Sequence, residues 1–156
     1  MTDEEWRWRR FDELTVRELH DLLKLRCDVF VVEQACAFAE IDGQDPAAFH
    51  LLRREAGFLA GCLRVFAPER LGEPARIGRI ATSPAHRGTG LGHRMMGEAL
   101  DFCAENFAGA DIVLSAQSHL QLFYGKHGFQ PVSETYLEDD IPHVDMRRHA
   151  GAAFHP

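Results

Sequence analysis

No apolar run in this chain approaches the ~20 residues that span a bilayer, and its opening Met1-Thr2-Asp3-Glu4-Glu5 is acidic where a secretory leader is basic. These absences predict a cytosolic protein with no membrane partner. Basic charge is also scarce: 17 Lys and Arg stand against 24 Asp and Glu, a net charge of -7. Phosphate neutralisation needs clustered cations, so nucleic acid is not an expected partner. Cys27, Cys36, Cys62 and Cys103 show neither CxxC nor any paired short spacing, and read as four free thiols rather than a zinc or disulfide framework. The nine histidines lack HExxH and HxH spacing, so no metal is expected. Repeats, low-complexity tracts and long linkers are missing too. With 46% hydrophobic and 26% charged residues, the chain reads as one domain over 1–150 and a loose tail over 151–156.

What is present is a sequence of punctuated elements. Trp6, Trp8 and Phe11 suggest a short first strand. Thr15-Val16-Arg17-Glu18 is a capping box, and Val16, Leu19, Leu22, Leu23, Cys27 and Phe30 then recur at helical spacing. From Phe30 to Asp45 the period lapses into a loop with room for a short helix. Phe49–Arg54 and Leu59–Phe66 read as an antiparallel hairpin across Glu55-Ala56-Gly57. In the strand Ala75–Thr82, Ile77 and Ile80 lie three apart, whereas a regular strand returns to one face after two; a β-bulge reconciles them. Leu91, Met95, Ala99 and Cys103, with Met96, Leu100 and Phe107, predict a second amphipathic helix ending at Gly109. Ile112-Val113-Leu114 is a buried strand, and a third helix carries Leu120, Phe123 and Tyr124 to a stop at Gly128. Pro131–Leu137 and Pro142–Arg148 supply two last strands.

Between the bulged strand and the second helix lies Arg87-Gly88-Thr89-Gly90-Leu91-Gly92. A helix start exposes amides and about half a positive charge, and glycines let an anion approach them. Two familiar phosphate loops fail here. A P-loop needs Lys-Ser/Thr after its last glycine, and a dinucleotide fingerprint needs its third glycine where His93 stands. The residues alone leave an anion turn or a plain tight turn.

The turn resembles Gln/Arg-x-x-Gly-x-Gly/Ala, the pyrophosphate loop of the GCN5-related N-acetyltransferases, through Arg87, Gly90 and Gly92. Leu122-Phe123-Tyr124-Gly125-Lys126-His127-Gly128-Phe129 is similar to that superfamily's Leu-Tyr-x-x-x-Gly-Phe signature. The segments Leu25 to Gln34, Ile41-Asp42-Gly43, Gly78-Arg79-Ile80, Ala116 to Gln121 and Ile141-Pro142-His143-Val144-Asp145-Met146 extend the resemblance to the ElaA-like subgroup over roughly residues 6 to 148.

The resemblance implies an α+β acyl-CoA N-acyltransferase fold: a mixed, mostly antiparallel sheet flanked by helices, with a β-bulge and central parallel strands splayed to admit the cofactor. It implies acetyl-CoA as donor and direct attack by a primary amine of a small molecule or peptide. Backbone groups of Ile80, Ala81 and Thr82 would pair with the pantetheine arm. Arg87, Gly88, Thr89, Gly90, Leu91 and Gly92 would hold the pyrophosphate, and Gln117 stands where relatives carry Asn. Tyr124 matches the general acid, since a phenol with pKa ~10 is protonated at neutral pH and able to donate to a leaving thiolate. An amine acceptor needs a base; Glu33 is the first candidate, and His50, His119 and His143 are alternatives. Glu138-Asp139-Asp140 reads as a solvated turn. The rival readings are a CoA-binding sensor without turnover and a thioesterase-like hydrolase. A homodimer is compatible with the sequence.

Overall fold

In a computed structural model, residues 4–152 are described. Residues 153–156 of the expected tail lie outside the described residues, as do the first three. The elements run β1 (Glu4–Arg10), α1 (Val16–Cys27), β2 (Phe49–Glu55), β3 (Phe58–Phe66), β4 (Ala75–Thr82), α2 (Leu91–Asn106), β5 (Ile112–Gln117), α3 (Gln121–Gly125), β6 (Gln130–Pro131), β7 (Tyr136–Glu138) and β8 (Ile141–Arg148). Among the described residues eight strands make one mixed, open sheet in the order β1-β2-β3-β4-β5-β8-β6, with β7 also on β8. The chain divides into two compact units: Met1–Phe66 with Arg79–Met95, and Ala67–Gly78 with Met96–Pro156.

In the first unit, the capping box holds as expected. Glu18 N donates to Thr15 Oγ1 at 3.0 Å, and Thr15 N donates to Glu18 Oε1 at 2.9 Å. The apolar stripe of α1 then packs Leu22, Leu25 and Val29 on Leu52, Cys62 and Ala81. Past Cys27 the helix widens into a π-type turn over Asp28–Glu33, so part of the expected loop is helical. The β2–β3 hairpin turns through Ala56 and Gly57, both at positive φ as a tight two-residue turn requires. Its register slips between Arg53 and Arg54, a bulge on the β3 side that no spacing announced. On β1, Trp6 pairs with Arg53, whose guanidinium lies 4.3 Å from the indole centroid. Gly61 is where α2 comes close: a Cβ there would stand 2.5 Å from Met95 Sδ.

β4 is irregular where the Ile77/Ile80 spacing predicts it. Arg79 sits at φ +52 inside the strand, a left-handed residue of the sort one bulge type contains. In the second unit β4 pairs in parallel with β5 through Ala75–Ile112 and Arg76–Val113. β5 and β8 pair antiparallel over six positions, burying Leu114, Ala116, Val144 and Met146. The C-terminal prediction needs one correction. Pro131–Leu137 is not one strand but two, β6 and β7, both laid on β8 and separated by non-strand residues 132–135. All four cysteines are free.

Candidate active site

β4 hands the chain to a single turn at Pro84–His86, and α2 begins at Leu91. Gly88 at φ +77 and Gly90 at φ +79 occupy the left-handed region, where a side chain would be strained even though a Cβ at either position meets nothing within 4 Å. Arg94 N donates to Gly90 O at 3.1 Å, closing the first turn of α2. The amides before it, Leu91 and Gly92 among them, face outward along the axis by helix geometry. Thr89 Oγ1 donates to His86 O at 2.8 Å and steadies the exposed turn.

Arg87 does not hang free. Its Nη1 donates to Glu33 Oε1 at 2.6 Å, its Nη2 to Glu33 Oε2 at 2.8 Å, and Nη2 also to Thr82 O at 3.1 Å. Three residues assigned separate roles from sequence, Glu33, Thr82 and Arg87, are thus one assembly. The hydrogen bond from Arg87 holds the Glu33 carboxyl below the usual carboxylate range, and Glu33 holds the guanidinium above its own. A carboxylate so held is a weaker base than a free one.

Beneath β4 the first unit buries an ion network that sequence reasoning missed. Arg26 Nε donates to Glu40 at 2.7 Å and its Nη1 to Asp45 at 2.8 Å. Arg64 reaches Asp45 at 2.8 Å and Asp42 at 2.6 Å, and Arg79 Nε lies 2.6 Å from Glu40 Oε2. Arg26, Glu40, Asp45 and Arg64 are all buried. Burial drives the Asp45 carboxyl upward, but hydrogen bonds from Arg26 and Arg64 outweigh it and leave it low. Asp42, bonded by Arg64, is depressed as well. The network ties the 40–45 segment to α1, β3 and the strained Arg79, one residue before Ile80. Its signal in the sequence was a charge interrupting an apolar face, Arg26 between Leu25 and Cys27 and Arg64 between Leu63 and Val65. His50, one of the alternative bases, is buried there with Nε2 2.9 Å from Asp45 O.

In the second unit, Gly128 at φ +86 ends the turn after α3, and Tyr124 is 6% exposed, edge-on to Phe123 and Phe129. Burial pushes its phenol up to about 12. Gln117 ends β5, opposite His143 in the β5–β8 register. Cys62 and Cys103, one in each unit, are both pushed up to about 12 by burial, which leaves neither a thiolate nucleophile at neutral pH.

The acetyltransferase (GNAT) domain model matches residues 19–150. Protein ElaA of Escherichia coli strain K12 is 41% identical over 146 residues, covering 92% of this chain and 95% of that protein. Its crystal structure overlays with a TM-score of 0.88 at 40% identity, across 96% of this chain and 100% of that one. An acyl-CoA N-acyltransferase from Pseudomonas aeruginosa overlays at 0.89 with 44% identity, over 94% and 99%. With the glycine turn at the start of α2, the left-handed Arg79 inside β4 and these matches along nearly its whole length, the chain belongs to the GNAT acetyltransferase family.

Proposed function

We propose that residues 1–150 form a single cytosolic N-acetyltransferase domain that moves an acetyl group from acetyl-CoA to a primary amine of a small molecule or peptide. The observation that carries this reading is the Arg87–Gly92 turn. Its two left-handed glycines leave the backbone bare at the start of a helix of 16 residues, where a pyrophosphate finds amides and a favourable dipole. The strand edge Ile80–Thr82 would take the pantetheine arm and Gln117 a further cofactor contact.

The amine nitrogen attacks the thioester carbon directly. Backbone amides near Ile80–Thr82 meet the oxyanion, the C–S bond breaks, and Tyr124 protonates the thiolate. A phenol pushed up to about 12 stays protonated through the neutral range, which supports its role as the donor. The buried, protonated thiols of Cys62 and Cys103 support a route without an acyl-enzyme. Glu33, expected to act as base, is bound by Arg87. In this reading it occupies the guanidinium fork until the donor's phosphates take its place.

The test is a mass-spectrometric screen with acetyl-CoA against polyamines, aminoglycosides, amino acids and peptide N-termini. An N-acetyl product supports the reading. Free CoA alone would indicate hydrolysis, and binding without turnover would indicate a sensor; either result overturns it.

A further inference from the structure

The second unit sets a polar cluster on one face of the β5–β8 ladder. Leu114 and Ala116 on β5 and Val144 and Met146 on β8 are buried, so strand alternation turns Ser115, Gln117, His143 and Asp145 to the opposite face. On that face Tyr136 Oη donates to Asp145 Oδ1 at 2.6 Å and bonds Ser115 Oγ, and its ring stacks on His143 with centroids 6.2 Å apart and planes 24° apart.

His143 is held in one orientation. Its Nδ1 lies 2.7 Å from the carbonyl oxygen of Ile141. A carbonyl only accepts, so Nδ1 carries the proton and Nε2 of the neutral ring presents its lone pair. The side chain is 12% exposed, with Nε2 3.6 Å from Glu138 Oε2. The other two histidines lack this combination. His50 is buried with its Nε2 committed to Asp45 O, and burial pushes its pKa down. His119 is exposed on the turn Ser118–Leu120, where no contact among the described residues fixes its ring.

We propose that Nε2 of His143 takes the proton from the acceptor ammonium. The inference rests on the acetyl-transfer reading, in which Tyr124 serves the leaving thiolate and Gln117 the cofactor. Both belong to the same unit as His143, and Gln117 is its register partner. Glu33, by contrast, is occupied by Arg87.

The step balances. An ammonium gives one proton to Nε2, and the freed lone pair forms the N–C bond to the acyl carbon. The C–S bond breaks, and the thiolate takes its proton from Tyr124, which regains one from the nitrogen of the adduct. His143 then returns its proton to solvent, so each turnover yields amide, CoA thiol and one proton. Glu138 stabilises the imidazolium that forms. The groups facing the ring are Glu138 and Tyr136 from β7 and the uncharged Gln117 from β5, with Asp145 reached through Tyr136.

The experiment compares wild type with His143→Asn and His143→Gln. Acetyl-CoA is the donor, and the amines are a primary alkylamine found in the product screen and methoxyamine, which is mostly unprotonated at neutral pH. The expected result is a kcat at least tenfold lower with the alkylamine, on the low side of the 10²–10⁴ usual for general bases. The deficit shrinks to within about twofold with methoxyamine, and with the alkylamine it narrows as pH rises and more of that amine is unprotonated. CoA affinity and the circular dichroism spectrum stay unchanged. Equal loss with both amines, or undiminished alkylamine turnover, overturns the proposal while leaving acetyl transfer intact. A wild type that acetylates no amine overturns the parent reading and this inference together.

Discussion

At the scale of single residues, the proposed chemistry sets a phenol and a carboxylate with opposite fates against each other. Tyr124 is buried and keeps its proton, so Tyr124→Phe should lower kcat at least tenfold with acetyl-CoA affinity little changed; unaltered turnover removes the phenol from the reaction. Glu33 is ionised and spent on Arg87. Removing a competitor for the fork should tighten donor binding, so Glu33→Gln is expected to lower the CoA dissociation constant by about 1.4- to fivefold, the range that roughly 0.2–1 kcal/mol for an exposed pair allows. Calorimetric titration reads this, and weaker binding would mean that the carboxylate orients Arg87 for the donor. Tyr124 drew attention in the sequence because Gly128 and Phe129, four and five positions on, complete a compact signature with it. The Glu33–Arg87 pair did not, because its members lie 54 positions apart and each looks solvated by itself.

At the scale of elements, local chemistry and sequence agree best where a turn or cap decides the geometry. The Thr15–Glu18 box, the Ala56-Gly57 hairpin turn and the glycine turn before α2 were all legible for that reason. The irregularity in β4 was legible as a broken period. That the residue absorbing it is an arginine was not, since φ +52 costs a non-glycine residue of order 1 kcal/mol or more. Arg79 is kept there by Glu40, Asp42 and the ring of Phe38. Residues 132–135 were misread as strand because Val132 and Tyr136 carry β-type side chains across a break set by the tertiary fold. For the glycine turn, Gly90→Ala is a clean probe. A Cβ there touches nothing, so only the left-handed φ is penalised. Stability should fall by about 1 kcal/mol, and CoA binding should weaken along with it. An unchanged urea midpoint and CoA affinity would show that the turn tolerates a side chain.

At the scale of the whole molecule, acid sensitivity follows from the buried groups. His50 has a lowered pKa in the fold, so its contribution is present above the unfolded histidine value near ~6.5 and is lost as pH falls through the folded value. Asp42 and Asp45 are lowered too, so theirs is present above the unfolded value of ~3.9 and is lost further down. Urea midpoints should therefore drift down below about pH 6.5 and drop steeply below about pH 4. Asp45→Asn, which strips Arg26 and Arg64 of a shared partner, should cost about 3–5 kcal/mol at neutral pH and flatten the acid limb. A midpoint flat to pH 3 in the wild type would rule the network out as the cause. The pairing of Glu33 with Arg87 also matters for what the protein attracts. With a net charge of -7 and the turn's arginine already neutralised, the chain offers no long-range lure to phosphate or nucleotides in general. Under the proposed function an anion displaces a carboxylate at close quarters, and one that also engages the amides at the head of α2 is best placed to do so. An arginine already paired makes the turn selective by default.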